Sequence, residues 1–373
     1  MKKILLTDCC ELVMGQSPVS SSYNTEKRGL PFYQGNADFG KINPITRCWC
    51  DKPIKIAYKD DILISVRAPI GAINIASEEC CIGRGLAAVR ALKGKCLYEF
   101  LYYALQSNTE ELKSQGTGST FKAISKQILA NSELPDITLE EQHRIVNRLL
   151  KVDTLIENAN EQLRLFDQLV KSRFIEMFGD LKLNDKKWEV KFFKDLTLLI
   201  TDGEHSTPRR TDNGIYLLSA RNVLNHSLQL NDIDYIDEVE YERISKRIQP
   251  MIGDVLLSCS GSVGRCCAIT KDIKFQMVRS VALLRFKAEI NPVFAEYMIV
   301  SDYLQEQINS NKTASSQSNL FQGKIKMLKG VIPPLDLQNQ FADFVEEVNK
   351  SKFTHCYELL LLIIKKIWYN NYV

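Results

Sequence analysis

The sequence has little of what a membrane or secreted protein needs. Its longest purely aliphatic run, Leu359 to Ile364, is far shorter than the roughly 20 apolar residues that cross a bilayer. The N-terminal segment carries two lysines but reaches Asp8 before any apolar stretch long enough for a secretion signal. We therefore expect no membrane contact and a cytoplasmic protein.

The motifs of common catalytic sites are also missing. The sequence has no phosphate-binding loop of the type GxxxxGK[ST] and no GxGxxG that follows a strand. The runs NPIT (43–46) and NPVF (291–294) lack the second proline with which adenine methyltransferases hold a flipped base. The histidines His143, His205, His226 and His355 show no metal-ligand spacing. We expect no catalytic residues, no metal and no cofactor.

Cysteine is abundant, with 11 residues, but its pattern indicates neither a disulfide framework nor a zinc site. The number is odd, and Cys9 is followed directly by Cys10. Cys48 and Cys50 form a CxC pair, not the CxxC pair of a structural zinc site. We interpret the cysteines as small buried hydrophobic residues in a reducing compartment.

The sequence also lacks a large excess of positive or negative charge. With 48 Lys and Arg against 45 Asp and Glu, the net charge of +3 does not by itself predict a nucleic-acid partner. The chain of 373 residues is 45% hydrophobic and 25% charged, which is typical of a soluble globular protein with room for two domains.

What the sequence does contain is a long internal repeat. ILISVRAPIGA (62–72) returns as VLLSCSGSVGR (255–265), 193 residues later. IGRGLAAVR (82–90) returns as MVRSVALLR (277–285) after 195 residues, with Arg84 matched by Arg279. LEEQHRIVNRLLKVD (139–153) returns after 196 residues as LDLQNQFADFVEEVN. A period this long indicates a duplicated domain, since solenoid repeats are much shorter.

The clearest periodic signal predicts a long helix at 139–178. Thr138 and Glu141 have the spacing of a capping box, and Gly179 is a typical C-terminal stop. Such a helix would be about 60 Å long at about 1.5 Å per residue. Its apolar residues alternate in steps of four and three, which is a heptad seam: Ile145, Leu149, Val152, Ile156, Ala159, Leu163, Phe166 and Val170.

The second copy begins an equivalent seam at Phe341, Val345 and Val348. We expect it to pair with the first helix, because a single apolar seam left in water is unfavourable. The seam then slips by one residue and continues through Phe353, Cys356, Leu360, Ile363 and Ile367. The slip predicts that the C-terminal helix is shortened or distorted at its far end.

Polar residues on the loops are the candidate binding groups. Gln34 and Asn36, matched by Ser219 and Arg221, have donors and acceptors suited to base edges in a major groove. Hydroxyl-rich loops precede the long helices in both copies, and either phosphate contact or helix capping would explain them. The segment 261–265 predicts either a backbone nest for a phosphate or a tight turn. Arg84 and Arg279 contact DNA or, alternatively, pair with carboxylates at the edge of the core.

These segments resemble the specificity subunit of type I restriction-modification systems over nearly the whole chain. The motifs that carry the resemblance in the first half are GQSPVSSSYN, LISVRAPIGA and ELPDITLEEQHRI. In the second half they are DGEHSTP, LLSCSGSVGR and VIPPLDLQNQFADFV.

The resemblance implies an α+β protein with two loop-rich α/β target recognition domains in a pseudo-twofold repeat, separated by two long antiparallel coiled-coil helices. The domains would be 1–138 and 180–334, and the helices 139–179 and 335–373. Each domain would read one half of a bipartite site in double-stranded DNA. The helices would dock two methyltransferase subunits, and restriction (translocase) subunits can join them. The chain would then be no enzyme by itself, since methyl transfer to a flipped adenine belongs to the partner.

Residue by residue, two sets of contacts follow from the pattern and the resemblance. The expected DNA contacts are Gln34, Asn36, Arg67, Arg84, Ser119, Thr120, Lys122, His205, Arg209, Ser219, Arg221, Ser262, Arg265, Arg279, Ser316 and Gln317. The expected partner contacts are Ile145, Leu149, Val152, Ile156, Phe341 and Val345.

Two other functions are compatible with parts of the sequence. A protein-binding scaffold, in which the helices recruit partners and the loop domains bind a ligand, would explain the mild net charge. A complete enzyme with methyltransferase and specificity functions in one chain is disfavoured, because the chain has no room for a catalytic domain.

Overall fold

A computed structural model describes residues 2–116, 122–313 and 318–370, without the side chains of 367–370. The chain divides into two compact units. The first unit comprises Met1–Glu161 and His355–Val373, and the second comprises Gln162–Thr354. Within the described ranges, no helix combines the length and the apolar character that a bilayer crossing requires.

The first unit contains the first copy of the repeat. Its strands are β1 (Lys3–Leu5), β2 (Cys10–Met14), β3 (Tyr23–Asn24), β4 (Leu30–Tyr33), β5 (Trp49–Cys50), β6 (Ile56–Ala57), β7 (Ile62–Ser65), β8 (Ile73–Ile75), β9 (Cys80–Ile82), β10 (Leu86–Ala91) and β11 (Glu133–Pro135). Its helices are α1 (Leu6–Cys9), α2 (Tyr98–Ser107), α3 (Thr109–Ser114) and α4 (Lys126–Ala130), followed by the long α5 (Leu139–Phe178), which continues into the second unit.

The second unit repeats this order. Its strands are β12 (Glu189–Phe192), β13 (Thr197–Asp202), β14 (Arg210–Thr211), β15 (Ile215–Leu218), β16 (Val223–Leu224), β17 (Ser227–Leu228), β18 (Asp234–Ile236), β19 (Asp254–Ser258), β20 (Cys266–Ala268), β21 (Phe275–Met277), β22 (Val281–Phe286) and β23 (Lys329–Ile332). Its helices are α6 (Phe193–Leu196), α7 (Glu238–Ser245), α8 (Pro292–Val300), α9 (Asp302–Asn311) and α10 (Gln322–Ile325), followed by the long α11 (Leu335–Asn370), which continues into the first unit.

Each unit is built on a four-stranded antiparallel sheet. The strand order is β2-β10-β7-β8 in the first unit and β13-β22-β19-β20 in the second. The strands β7 and β19 are buried along their whole length, which explains why the sequence shows continuous aliphatic runs there. A second, mixed sheet accompanies each of them, with five strands in the first unit and four in the second. It contains the parallel pair β4 and β9 in the first unit and β15 and β21 in the second. The duplication seen in the sequence is therefore a duplication of topology.

An arginine–aspartate ion pair occurs at the same position in both sheets. Arg90 donates from Nε and Nη2 to the two carboxylate oxygens of Asp61 at 2.9 and 2.8 Å. Arg285 makes the same two hydrogen bonds to Asp254, both at 2.7 Å. The arginines that pair with buried carboxylates at the edge of the core are therefore Arg90 and Arg285.

The long helix α5 begins and ends where the sequence predicts. Thr138 Oγ1 accepts a hydrogen bond from the backbone N–H of Glu141 at 3.3 Å, and Glu141 Oε2 accepts one from the N–H of Thr138 at 2.9 Å. This is the predicted capping box. At the other end Gly179 has a φ of 76°, a conformation that glycine adopts without strain.

The predicted slip in the C-terminal seam is wrong. The helix α11 runs without interruption from Leu335 to Asn370. Phe353 and Leu360, which the slipped seam would bury, are 76% and 52% exposed, and Cys356 is also exposed. The side chain of Ile367 lies outside the described residues. The least exposed positions instead keep the four-three spacing throughout: Phe341, Val345, Val348, Lys352, His355, Leu359, Leu362 and Lys366.

Two lysines explain why the sequence misleads at this point. Lys352 pairs with Asp167 within the second unit, and Lys366 pairs with Asp153 within the first. Both lysine side chains are only 24% exposed. A lysine can occupy a seam position because its aliphatic stem packs while its amino group reaches a carboxylate. A hydrophobic pattern does not register such residues.

Within the second unit, the two helix segments run antiparallel. Phe174 and Phe178, near the end of α5, pack against Phe341 near the start of α11, with ring centroids 5.3 and 5.5 Å apart. Asp167, earlier in α5, pairs with Lys352, later in α11. Contacts between the late part of one helix and the early part of the other require opposite directions.

Candidate nucleic-acid interface

Five segments meet at one place in the first unit, and we call them the first loop cluster: 15–17, 33–36, 66–68, 83–85 and 122–124. Backbone hydrogen bonds connect the last four segments to one another, and Gly15 and Gln16 donate to Leu86 O and Ile82 O beside them. The N–H of Gly83 donates to Tyr33 O at 2.8 Å, and that of Val66 donates to Gly85 O at 2.9 Å. The N–H of Ile124 donates to Val66 O at 2.9 Å. The cluster is therefore held by main chain, which leaves its side chains free to vary.

The second unit has an equivalent arrangement, the second loop cluster: 203–205, 218–222, 259–262, 278–280 and 318–320. The N–H of Val278 donates to Leu218 O at 2.9 Å, and that of Cys259 donates to Ser280 O at 2.8 Å. The N–H of Leu320 donates to Cys259 O at 2.9 Å. These bonds link the same positions of the repeat as in the first unit.

A glycine in the first segment of each cluster permits this convergence. A Cβ atom added to Gly15 would lie 2.2 Å from the carbonyl oxygen of Gly83. One added to Gly203 would lie 2.3 Å from the carbonyl oxygen of Met277. Any side chain at either position would therefore separate the segments.

Both clusters present an arginine from the same turn. The N–H of Arg84 donates to Ser17 Oγ at 3.2 Å, and the N–H of Arg279 donates to Glu204 O at 3.0 Å. Both side chains are exposed, and neither guanidinium forms an ion pair with a carboxylate among the described residues. The backbone is fixed while the charged group is available to an anion from outside. This distinguishes them from Arg90 and Arg285, whose charges are already matched.

The residues around these arginines differ between the two clusters. Gln34, Arg67 and Lys122 in the first cluster are exposed, and Asn36 is partly exposed. The repeat-related positions in the second cluster, identified by the shared hydrogen bonds, are Ser219, Arg221, Ser260 and Ser318. One backbone arrangement therefore carries two chemically different surfaces.

The second cluster surrounds a cleft of about 720 Å³. The residues that line it include His205, Ser206, Arg210, Ser260, Arg279 and Asn319. The expected residues His205 and Arg279 are thus brought together. Ser206, Arg210 and Asn319 also line the cleft, although they are not among the expected contacts. The DGEHSTP motif marks the segment that carries Ser206.

Acidic side chains already engage several basic side chains near the second cluster. Arg209 pairs with Asp237, Arg221 Nη2 lies 3.2 Å from Asp234 Oδ1, and His205 Nε2 lies 2.9 Å from Asp202 Oδ2. The pKa of Asp237 is lowered by the backbone N–H of Glu240 and by Arg209, so this carboxylate stays ionised. Arg209 and Arg221 would have to exchange these partners in order to contact a phosphate.

A carboxylate also lies within the cleft. The pKa of Glu204 is lowered mainly by the hydrogen bond from the Ser206 hydroxyl, with further help from Arg243 and Arg247. Arg243 is itself paired with Glu240 at 2.9 Å. Unlike Arg209, Arg221 and Arg243, Arg279 has no carboxylate partner among the described residues.

The segment 261–265 is a tight turn and not a phosphate nest. The backbone N–H groups of Gly261, Val263, Gly264 and Arg265 donate to Ser318 O, Gly261 O, Ser258 O and Ser258 Oγ, respectively. A nest needs several free N–H groups that point at one anion. Ser262 and Arg265 therefore remain only as candidates for side-chain contacts.

The remaining expected DNA contacts are placed as follows. Ser219 donates from its hydroxyl to Asn222 Oδ1 at 3.0 Å, which engages it in a local turn. Ser119, Thr120, Ser316 and Gln317 lie outside the described residues.

The expected partner contacts lie on the inner faces of the long helices. Leu149 and Phe341 are fully buried, and Val152 and Val345 are 5% exposed. Ile145 and Ile156 are partly buried. Because the four most buried of these side chains have almost no exposed surface, they offer little contact area to another protein.

The chain is similar to known proteins over most of its length. The family model described as the type I restriction modification DNA specificity domain matches residues 1–165 and again 185–355. A putative type I restriction enzyme MjaX specificity subunit from Methanocaldococcus jannaschii is 47% identical over 147 residues. That match covers 39% of this chain and only 35% of the relative.

Other relatives match over more of their length. The type I restriction enzyme MjaIX specificity subunit of the same organism is 24% identical over 84% of this chain and 76% of its own. The EcoBI specificity subunit of Escherichia coli is 21% identical over 93% of this chain and 78% of its own. The solved S subunit of a type I restriction-modification system from M. genitalium shares the fold, with a TM-score of 0.57, 16% identity and coverage of 99% and 94%.

Both copies of the repeat thus match the same family model, and together the matches account for most of the chain. The chain therefore belongs to the family of type I restriction-modification DNA specificity proteins and carries two of its specificity domains.

Proposed function

We propose that this chain is the non-catalytic subunit that selects the DNA sequence in a type I restriction-modification complex, and that each loop cluster reads one half of a bipartite site. The observation that carries the proposal is the pair of loop clusters. One backbone scaffold occurs twice, with an exposed arginine constant and the surrounding side chains changed.

The chemistry of the two clusters fits a division between positioning and reading. Phosphate contacts position a protein on DNA, whereas contacts to base edges carry the sequence information. Arg84 and Arg279 are common to both clusters, which suits the phosphate backbone that every site shares. Gln34 and Arg67 in the first cluster have the amide and guanidinium groups that recognise adenine and guanine in the major groove. Serines at the equivalent positions of the second cluster would select different bases.

The chemical reaction belongs to partner subunits in this proposal. Two methyltransferase subunits, which use S-adenosylmethionine, would flip and methylate the adenines, and restriction subunits would join the assembly. The long helices would set the spacing of the half-sites as an antiparallel coiled coil.

In the first unit, the C-terminal helix leaves an apolar row exposed: Tyr357, Leu360, Leu361 and Ile364. These residues are 57%, 52%, 48% and 53% exposed. We propose that this row docks a methyltransferase, because contiguous exposed apolar surface is typical of protein interfaces.

The proposal is tested by mapping methylated adenine in cells that produce this chain with its methyltransferase. We expect methylation at one asymmetric bipartite motif. Arg84→Ala and Arg279→Ala should each weaken DNA binding roughly tenfold or more, since a charged hydrogen bond contributes about 1.5–3 kcal/mol. The control is Arg28→Ala, an exposed arginine outside the clusters that pairs with Glu26. Equal effects of all three substitutions would refute the assignment of the clusters.

Salt dependence separates this function from that of a protein-binding scaffold. Affinity that depends on phosphate contacts falls steeply as salt rises, because bound counterions are released. We expect Arg84→Ala and Arg279→Ala each to reduce the slope of log affinity against log salt concentration by about one. A flat response of the wild-type complex would favour the scaffold.

A further inference from the structure

Three cysteines that are distant in sequence meet in the core of the first unit. The Sγ atoms of Cys9, Cys10 and Cys96 all lie within 4.8 Å of one another, and those of Cys9 and Cys10 are 3.7 Å apart. Their side chains are 3%, 3% and 6% exposed. We propose that these three sulfur atoms form a binding site for a thiophilic monovalent metal ion of the Cu(I) class.

The backbone holds the three residues in place. The N–H of Leu92 donates to Cys9 O at 2.9 Å, and the N–H of Cys96 donates to Leu92 O at 3.1 Å. Lys95 Nζ donates to Asp8 O at 2.9 Å across the same junction. The segment that follows β10 is thereby fixed against the end of α1, and the three sulfur positions do not depend on a flexible loop.

The other adjacent cysteines of the chain do not converge in this way. Cys80 and Cys81 lie on one strand and point into different apolar clusters, as do Cys266 and Cys267. Successive side chains on a strand face opposite sides, so this is expected. Cys9 ends α1 and Cys10 begins β2, and this change of conformation turns both sulfur atoms into the same core.

The second unit shows that the fold itself does not require sulfur at these positions. Cys10 pairs with Ala91 as Thr197 pairs with Phe286, so Cys9 and Cys10 correspond to Leu196 and Thr197. Gln142 accepts the N–H of Leu97 as Gln338 accepts the N–H of Asn291. Cys96, which precedes Leu97, therefore corresponds to Ile290. Leu196 and Ile290 are buried core residues. Ordinary apolar packing therefore satisfies this junction in one copy, while the other copy has three thiols there.

The geometry suits three-sulfur coordination. Metal–sulfur bonds are about 2.3 Å, which places the sulfur atoms of a trigonal or tetrahedral site about 3.8–4.0 Å apart. The 3.7 Å separation of Cys9 and Cys10 is close to this value. Among the described residues, no His, Asp or Glu joins the three cysteines. Zinc prefers a fourth ligand, whereas the softness of three thiolates favours Cu(I). Each thiol that binds as thiolate releases one proton to solvent, so affinity should rise with pH.

The test is an anaerobic titration of the reduced, metal-free full chain with Cu(I) buffered by a competing chelator. We expect one Cu(I) per chain, with three sulfur neighbours in X-ray absorption. Cys96→Ala should weaken binding at least about tenfold. Cys80→Ala, which alters a fully buried cysteine of the same unit outside the cluster, should not. Failure of the wild type to compete with the chelator, or equal binding by Cys96→Ala, would overturn the proposal.

A second measurement does not depend on any variant folding correctly. The folded wild type is alkylated for increasing times with and without Cu(I), then denatured, digested and read by mass spectrometry. Cu(I) should slow the alkylation of Cys9, Cys10 and Cys96. Protection of other cysteines instead would overturn the site. Neither readout involves DNA, so failure here leaves the proposed recognition of DNA untouched.

Discussion

A buried glutamine near the start of each long helix joins that helix to the domain before it. Gln338 Oε1 accepts the N–H of Asn291 at 2.8 Å, and its Nε2 donates to Glu289 O at 3.1 Å and Pro333 O at 2.8 Å. Gln142 does the same in the first unit, with Leu97 N at 2.9 Å and Lys95 O at 3.1 Å. One side chain thus satisfies the backbone of a loop that would otherwise be buried without partners.

Replacing Gln338 with leucine should therefore be destabilising although the new residue is apolar. The backbone groups that Gln338 satisfies would lose their partners, and each buried unsatisfied group costs about 1–3 kcal/mol. We expect the free energy of unfolding to fall by about 3 kcal/mol in chemical denaturation. Gln340→Leu, at an exposed position of the same helix, is the control and should have little effect. A similar loss in both variants would argue against the hydrogen bonds as the cause.

Removing the arginine should destabilise the second unit more at the Arg285–Asp254 pair than at the Arg243–Glu240 pair. Asp254 is fully buried, so Arg285→Ala would leave a carboxylate without its cation in the core. We expect a loss of about 3 kcal/mol, the lower end of the range for broken buried pairs, because the arginine is partly exposed. Arg243→Ala removes a solvent-exposed cation from Glu240 and should lower the free energy of unfolding much less than Arg285→Ala does. Comparable losses, measured by denaturant titration, would contradict this ranking.

Among the elements, the C-terminal helix has one face that packs against the protein and one face that is exposed and apolar. One face keeps the four-three spacing through Lys352 and Lys366, whose amino groups reach aspartates. The other face leaves Tyr357, Leu360, Leu361 and Ile364 exposed. The sequence-based seam followed hydrophobicity alone and therefore assigned Leu360 to the wrong face.

If the exposed apolar row docks a methyltransferase, introducing negative charge there should weaken the binding of that subunit. The double variant Leu360→Glu and Leu361→Glu should lower the affinity for the methyltransferase subunit at least about tenfold, because interface anchors contribute about 2 kcal/mol or more. Copurification and calorimetric titration measure the change. Glu358→Lys alters an exposed residue of the same turn and should bind normally. Normal binding by the double variant would place the docking surface elsewhere.

At the scale of the whole molecule, the two units use one scaffold for two chemically different surfaces. Most hydrogen bonds that hold the loop clusters are made by main chain, so apart from glycines such as Gly15 and Gly203 they do not depend on which side chains are present. The fold should therefore tolerate replacement of one recognition domain by that of another member of the family.

Exchanging residues 15–120 for the equivalent segment of another recognition domain should change one half of the methylated motif and preserve the other. The preserved half would be read by the second unit, which the exchange does not touch. Mapping of methylated adenine across the host genome measures both halves at once. An unchanged motif would be incompatible with recognition by the first loop cluster.

The duplication and the limits of the first long helix could be predicted from the sequence alone. These features depend on local periodicity, on capping residues such as Thr138 and Gly179, and on the spacing of repeated segments. The tertiary structure was needed to show which arginine of each repeat meets a buried aspartate, which face of the C-terminal helix is buried, and which loops converge. It also brought Cys96 to Cys9 and Cys10. Such contacts join residues far apart in the chain, and their partners are selected by strand register and packing, which local pattern does not encode.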